Sequence, residues 1–229
     1  MPPRRVRLDM HTHSEYSPDS RTPIAAQAAA LVAAGIDVVC ATDHNTIEGA
    51  LRLRDLAAEK LRVIVGEEIT SRDGEIIGLF LEKPIPRDLS AEDTIARIHE
   101  QGGIASVPHP FSRNRLYHLK AGALERVWRS IDCIEVFNAR EAFMADNRRA
   151  EAFAKERGIP GAVGSDAHRS SEIGRAWIEV DEFAGRDDLV SALRGGTVHG
   201  RLTGQAVHLA TRYDVFRKWL ARRRTKKSA

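Results

Sequence analysis

The chain of 229 residues is short of several things that would have pointed elsewhere. It has two cysteines, Cys40 and Cys133, each inside an apolar run and at no metal-binding spacing, which excludes a disulfide framework and fits buried thiols in a reducing compartment. It has no run of 18 or more apolar residues, so no membrane-spanning helix is expected. The opening Met1-Pro2-Pro3-Arg4-Arg5 leads into a charged strand and not a secretory apolar stretch, so a cytoplasmic protein is expected. There is no G-x-S-x-G elbow for a serine nucleophile, and no repeat or low-complexity linker divides the chain.

What is present is a core-forming composition, 42% hydrophobic and 29% charged, enough for one α/β domain. The net charge of +3 comes from the end of the chain. Residues 217–229 hold seven Lys or Arg and no acid, leaving 28 basic against 32 acidic residues elsewhere. That tail is expected to be a solvated terminus, with nucleic acid or an anionic membrane surface as the sharper alternatives and no stable membrane association.

The first strand, residues 6–12, stops at His11-Thr12-His13. Residues i and i+2 of a strand share a face, so the two histidines can hold one metal between them. Downstream the pattern repeats. Thr22 reads as an N-cap with Pro23 at the first helical position of an Ala-rich helix to Ala34, stopped at Gly35. A strand over 36–41 ends at Thr42-Asp43-His44, Asn45 and Glu48 make a capping-box start for a helix to about Lys60, and a strand over 62–69 ends in Glu67-Glu68. A fourth strand, 75–81, enters through Asp73-Gly74. Helices over 90–101, 121–130 and 142–157 then alternate with strands ending at Pro108-His109-Pro110, Asn138-Ala139-Arg140 and Ser165-Asp166-Ala167-His168. An edge strand over 175–180, a helix over 187–194 and a C-terminal helix over 207–224 complete the reading.

This alternation predicts a single (β/α)-type barrel over residues 1–205, smaller and less regular than an eightfold one, with a helix and basic tail over 206–229. His11, His13, His44, Glu68, His109, Asn138, Arg140, Asp166 and His168 all fall at or just past strand C-termini, where such barrels carry their chemistry. Asp43 and His44 are adjacent and point oppositely, so His44 is assigned to a metal and Asp43 to a supporting position behind the ligands or a helix cap. Parity does not choose between Glu67 and Glu68. For phosphate, Arg113 and Arg140 are the preferred guanidiniums, with Arg115 and Arg169 behind them. His99, His118, His199, His208, Trp128, Trp177 and Trp219 are read as ordinary packing or surface residues.

His11-Thr12-His13, Thr42-Asp43-His44, Gly66-Glu67-Glu68, His109-Pro110 and Gly164-Ser165-Asp166-Ala167-His168, in this order, resemble the motifs of the PHP (polymerase and histidinol phosphatase) family of metal-dependent phosphoesterases. The resemblance spans about residues 5–170, and Ile173-Gly174-Arg175 with Leu193-Arg194-Gly195-Gly196 is similar to the segment following the domain in small stand-alone bacterial members. It implies a distorted (β/α)7 TIM-like barrel with two or three divalent ions, Mn²⁺, Zn²⁺ or Fe²⁺. By the same resemblance His11, His13, Glu68 and Asp166 hold the first ion. Glu68, chosen over Glu67 on the family pattern alone, bridges to a second that His109 binds, and Asp19, His44 and His168 hold the third. Where many members carry a histidine this chain has Glu75, read as a carboxylate ligand of the second ion that favours Mn²⁺ or Mg²⁺, or else as a turn residue. The implied chemistry is attack of a metal-activated water on a phosphate ester of a small metabolite, nucleotide or oligonucleotide end. The alternatives are a metal-dependent amidohydrolase and a non-catalytic, metal-stabilised module serving a partner.

Overall fold

The computed structural model describes residues 3–57, 59–115 and 117–204. The expected C-terminal helix over 207–224 and the basic tail lie outside the described residues. Nine strands run β1 (Arg5–Thr12), β2 (Val38–Ala41), β3 (Arg62–Ser71), β4 (Gly74–Leu79), β5 (Ile104–Val107), β6 (Cys133–Asn138), β7 (Gly161–Gly164), β8 (Ala176–Asp181) and β9 (Thr197–Gly200). Six helices lie between them: α1 (Ile24–Ala33), α2 (Glu48–Ala57), α3 (Ala91–Glu100), α4 (Ala121–Val127), α5 (Met144–Arg157) and α6 (Arg186–Leu193).

The spatial order is β7-β6-β5-β4-β3-β2-β1-β8-β9. The ends of the first seven strands meet where the His13 N–H donates to the Ala167 carbonyl at 2.9 Å and the Asp166 N–H to the His11 carbonyl at 2.7 Å, so the sheet is a nearly closed barrel. β1 makes this possible by dividing its outer edge. Its first half, Arg5 to Leu8, pairs antiparallel with β8, and its last residues reach the chain just past β7.

Two strand expectations are corrected. β4 is antiparallel to both neighbours, because only the Arg72-Asp73 turn separates it from β3 and a hairpin cannot return parallel. The strand expected at an edge, β8, sits between β1 and β9. β9 is four largely exposed residues after Gly195-Gly196, with none of the apolar alternation that marks a strand.

The cap expectations meet mixed results. Ser90 caps α3 by accepting the Asp93 N–H, and Gly158 ends α5 at φ 66°. Thr22 instead donates its hydroxyl to the His168 carbonyl, and Glu15 accepts the Ile24 N–H at the start of α1. Asn45, at φ 54°, bonds Thr70 in both directions across the barrel mouth, so α2 begins only at Glu48. Each departure ties a βα loop to its neighbour. Cys40 and Cys133 are buried and free. Among the described residues no helix is long and apolar enough to cross a membrane.

Candidate metal centre

The nine expected ligands converge at the C-terminal mouth of the barrel. Four overlapping groups place their donor atoms within 4.8 Å of one another: His13, Asp19, His44 and His168; His11, Glu68 and His109; His11, His13 and Asp166; His44, Glu68 and Glu75. Glu68 belongs to two of the groups. Its Oε2 lies 3.3 Å from His11 Nε2, 3.2 Å from His13 Nε2 and 3.3 Å from His44 Nδ1, and its Oε1 lies 3.1 Å from His109 Nε2.

The β3–β4 hairpin explains both glutamates. Glu68 pairs with Ile77 and Thr70 with Glu75, so Glu68 and Glu75 share the inner face, while Glu67 points away and accepts the Ile85 N–H at 2.8 Å. Because β4 runs against its neighbours, it begins at the mouth where they end, which places Glu75 3.7 Å from both His44 Nδ1 and His109 Nε2. Glu75 is therefore part of the cluster and not a free turn residue.

Buried polar residues hold the ring nitrogens. Asp43 lies in none of the four groups. It accepts from the Ser14 N–H, the Ser14 hydroxyl and the Ser17 hydroxyl at 2.6–2.7 Å, which leaves Ser17 Oγ to accept from His13 Nδ1 at 2.9 Å and the His44 N–H at 3.1 Å. His13 thus turns Nε2 inward. Glu135, which no motif marks, accepts from His11 Nδ1 at 3.2 Å with one oxygen and from the His109 N–H at 2.7 Å with the other. A lone acid inside the apolar strand Cys133-Ile134-Glu135-Val136-Phe137 was the signal available for it. Gly164 lets these two side chains approach, since a Cβ there would stand 2.4 Å from both Glu135 Oε1 and His11 Cβ.

The expected arginines separate. Arg140 is buried, 2.5 Å from His168 Nδ1 and 3.3 Å from Glu172. Arg113 is 59% exposed, paired with Asp146 at 2.8 Å and stacked on Phe143. It is not among the residues brought together at the cluster. Arg115 is: its Nη2 bonds Asp166 and lies 3.5 Å from Asn138 Oδ1.

Two segments of the chain match family models in agreement with this geometry, residues 9–147 the PHP domain and residues 145–198 the PHP-associated segment. The chain belongs to the PHP domain family. Two uncharacterized proteins of Methanocaldococcus jannaschii resemble it, one 38% identical over 58% of this chain and 82% of its own length, the other 34% identical over 78% and 72%. Among solved structures, a two-domain protein from Bacteroides vulgatus, described as containing a predicted PHP-like metal-dependent phosphoesterase, superposes with a TM-score of 0.72 at 18% identity, over 94% of this chain and 70% of that one. An amidohydrolase from Chromobacterium violaceum with bound sulfate superposes with a TM-score of 0.59 at 16% identity, over 73% and 89%. At these identities the structures bear on the fold.

The electrostatics of this PHP domain are those of a cation site. Burial would raise the Asp166, Glu68 and Asp19 carboxyls, yet Arg115 and the histidines hold each well below the usual carboxylate range. Burial pushes Glu75 up to about 8, the adjacent Glu68 charge adding to it. His44 rises to about 10 against burial because Glu68 and Asp19 face it, and His168 falls to about 3 through burial, with Arg140 and His13 outweighing Asp19. Asp166 Oδ1, Asp19 Oδ1 and His109 Nδ1 are buried without a hydrogen-bond partner. Carboxylate oxygens of that kind, set among imidazole nitrogens, fit divalent metal ions. His109 and Asp166 also adopt φ of 30° and 52°, strained values for residues with a side chain and typical of functional positions.

Proposed function

We propose that this chain hydrolyses phosphate esters at a centre of two or three divalent ions. The observation that carries the reading is Glu68, whose two oxygens face different donor groups and so suit a carboxylate shared between ions. His11, His13 and Asp166, with Glu68, would hold one ion; Glu68, His109 and Glu75 a second; Asp19, His44 and His168 a third. Bound there, such ions supply Lewis-acid chemistry, acidifying a water and neutralising charge on a phosphoryl group.

The chain's own residues prepare that chemistry. Glu135 and Ser17 keep the Nε2 atoms of His11 and His13 turned inward. Arg140, beside His168, offers a planar cation to phosphate oxygens. Exposed aromatic rings stand on three loops that follow parallel strands: Tyr16 after β1, Tyr117 after β5 and Phe143 after β6. Such rings favour a substrate with a planar group to stack, hence a nucleotide or oligonucleotide end over an aliphatic phosphate.

Elemental analysis, paired with hydrolysis of p-nitrophenyl phosphate and a nucleotide panel with and without added Mn²⁺, tests the reading in wild type and His11→Ala. Two or three bound ions and metal-dependent phosphate release, lost in the variant, are expected. A protein that binds ions but releases no phosphate from any ester would be redirected to amide substrates or to a scaffold role.

A further inference from the structure

The loop after His109 carries an arginine that is more deeply engaged than a surface cation needs to be. Arg115 has 18% of its side chain exposed. Its Nη2 is bonded to Asp166 Oδ2, the same oxygen that accepts from Asn138 Nδ2 at 3.0 Å. The other oxygen, Oδ1, is unpartnered and faces His11 Nε2 and His13 Nε2 at 3.7 and 3.5 Å. Asp166 is thus divided between two tasks, with one oxygen held by Arg115 and Asn138 and one presented to the metal donors.

Nor is Arg115 used up by that contact. Its Nε is buried without a partner, and so is Oε1 of Glu141, the carboxylate that after Asp166 acts most strongly on this guanidinium. Glu141 is itself fixed from the far side by the Ser112 hydroxyl at 3.0 Å. A guanidinium has five N–H donors in one plane, and two parallel donors match two oxygens of a phosphate. One edge committed to a carboxylate of the metal group leaves another for an anion lying against the same ions.

Resting on the phosphoesterase reading above, we infer that Arg115 is the anchor for the substrate phosphate, held in place by Asp166 and steered from behind by Glu141. The pairing with Asp166 sets its distance from the metal donors, so the phosphate it grips is delivered to the ion group. Arg113, on the same loop, does not serve this role, since its guanidinium is spent on Asp146 and Phe143.

The test is calorimetric titration of Mn²⁺ into the protein and then of inorganic phosphate into the Mn²⁺-loaded protein, for wild type, Arg115→Met and Arg115→Lys, each first checked for a cooperative melt. Arg115→Met is expected to weaken phosphate binding at least about tenfold while Mn²⁺ binds as tightly as before or more so, because a neighbouring positive charge has gone. Arg115→Lys keeps the charge and loses the fork; it is expected to leave Mn²⁺ affinity unchanged and still weaken phosphate several-fold. Should phosphate affinity stay within twofold of wild type in either folded variant, the assignment is wrong. A parallel loss of Mn²⁺ affinity would also overturn it, making Arg115 a structural prop for Asp166. Failure of wild type to bind Mn²⁺ at all would instead remove the functional reading, and this inference with it.

Discussion

Glu135 and His11 are joined by a 3.2 Å contact between Oε1 and Nδ1, at the floor of the metal donors. The second oxygen of the same carboxylate accepts from the His109 N–H and from Asn138 Nδ2. One side chain therefore orients two donor histidines from opposite sides of the mouth. Glu135→Gln has a single acceptor oxygen for these tasks, and its amide must face either the His11 N–H or the His109 N–H. Metal affinity is expected to fall about 10- to 100-fold with the fold retained, measured by Mn²⁺ titration alongside circular dichroism. An unchanged affinity would mean that the ring orientation of His11 is set by something else.

Filling the cluster should stabilise the protein, because unpartnered Asp166 Oδ1 and Asp19 Oδ1 belong to the native arrangement alone. At free Mn²⁺ about 100 times its Kd, the gain is about 2.7 kcal/mol. For a chain of this size that corresponds to a rise in melting temperature of about 5–10 °C, reversed by a chelator. Scanning calorimetry with Mn²⁺, Zn²⁺ and EDTA measures it, and a melt indifferent to all three would count against the donor groups as metal sites.

Glu75→His replaces a hard oxygen donor by imidazole at a position 3.7 Å from His44 and His109. The ratio of zinc to manganese retained from an equimolar mixture is expected to rise in the variant. If the ratio measured by elemental analysis is the same as in wild type, Glu75 is not a ligand.

Glu67 gives a pH-dependent prediction. Burial pushes its carboxyl up to about 7 from an ordinary value of 4.5, only partly offset by the Ile85 N–H. Between those two values the folded chain holds a proton that the unfolded chain has released, so ionisation costs stability as pH rises from about 4.5 to 7. Glu67→Gln keeps an acceptor for Ile85 and removes the cost. Its melting temperature should match wild type near pH 4 and exceed it above pH 7, by an amount worth about 2 kcal/mol. A difference that does not grow with pH would show that Glu67 is ionised throughout.

Much of the site was legible because its spacing is local. His11 with His13, and Asp166 with His168, are i and i+2 pairs, and strand-end placement followed from the alternation of apolar runs with helices. The adjacency of Asp43 and His44 separated a cluster residue from a supporting one, and the structure puts Asp43 on Ser14 and Ser17, outside the donor groups. The cap at Ser90 and the stop at Gly158 were legible for the same reason, each depending on bonds within one turn.

What the sequence by itself determined, then, is which residues stand at strand ends and which neighbours share a face, since both follow from backbone periodicity. Tertiary structure alone decided the rest. The choice of Glu68 over Glu67 waited on the pairing of Glu68 with Ile77, and Glu75 reached the mouth only because β4 runs antiparallel. The divided edge of β1, the carboxylate of Glu135 beneath His11 and the turn of Arg115 toward Asp166 join residues 51 to 176 positions apart. Strand direction and long-range pairing are set by how the whole sheet closes, and no local period in a chain records that.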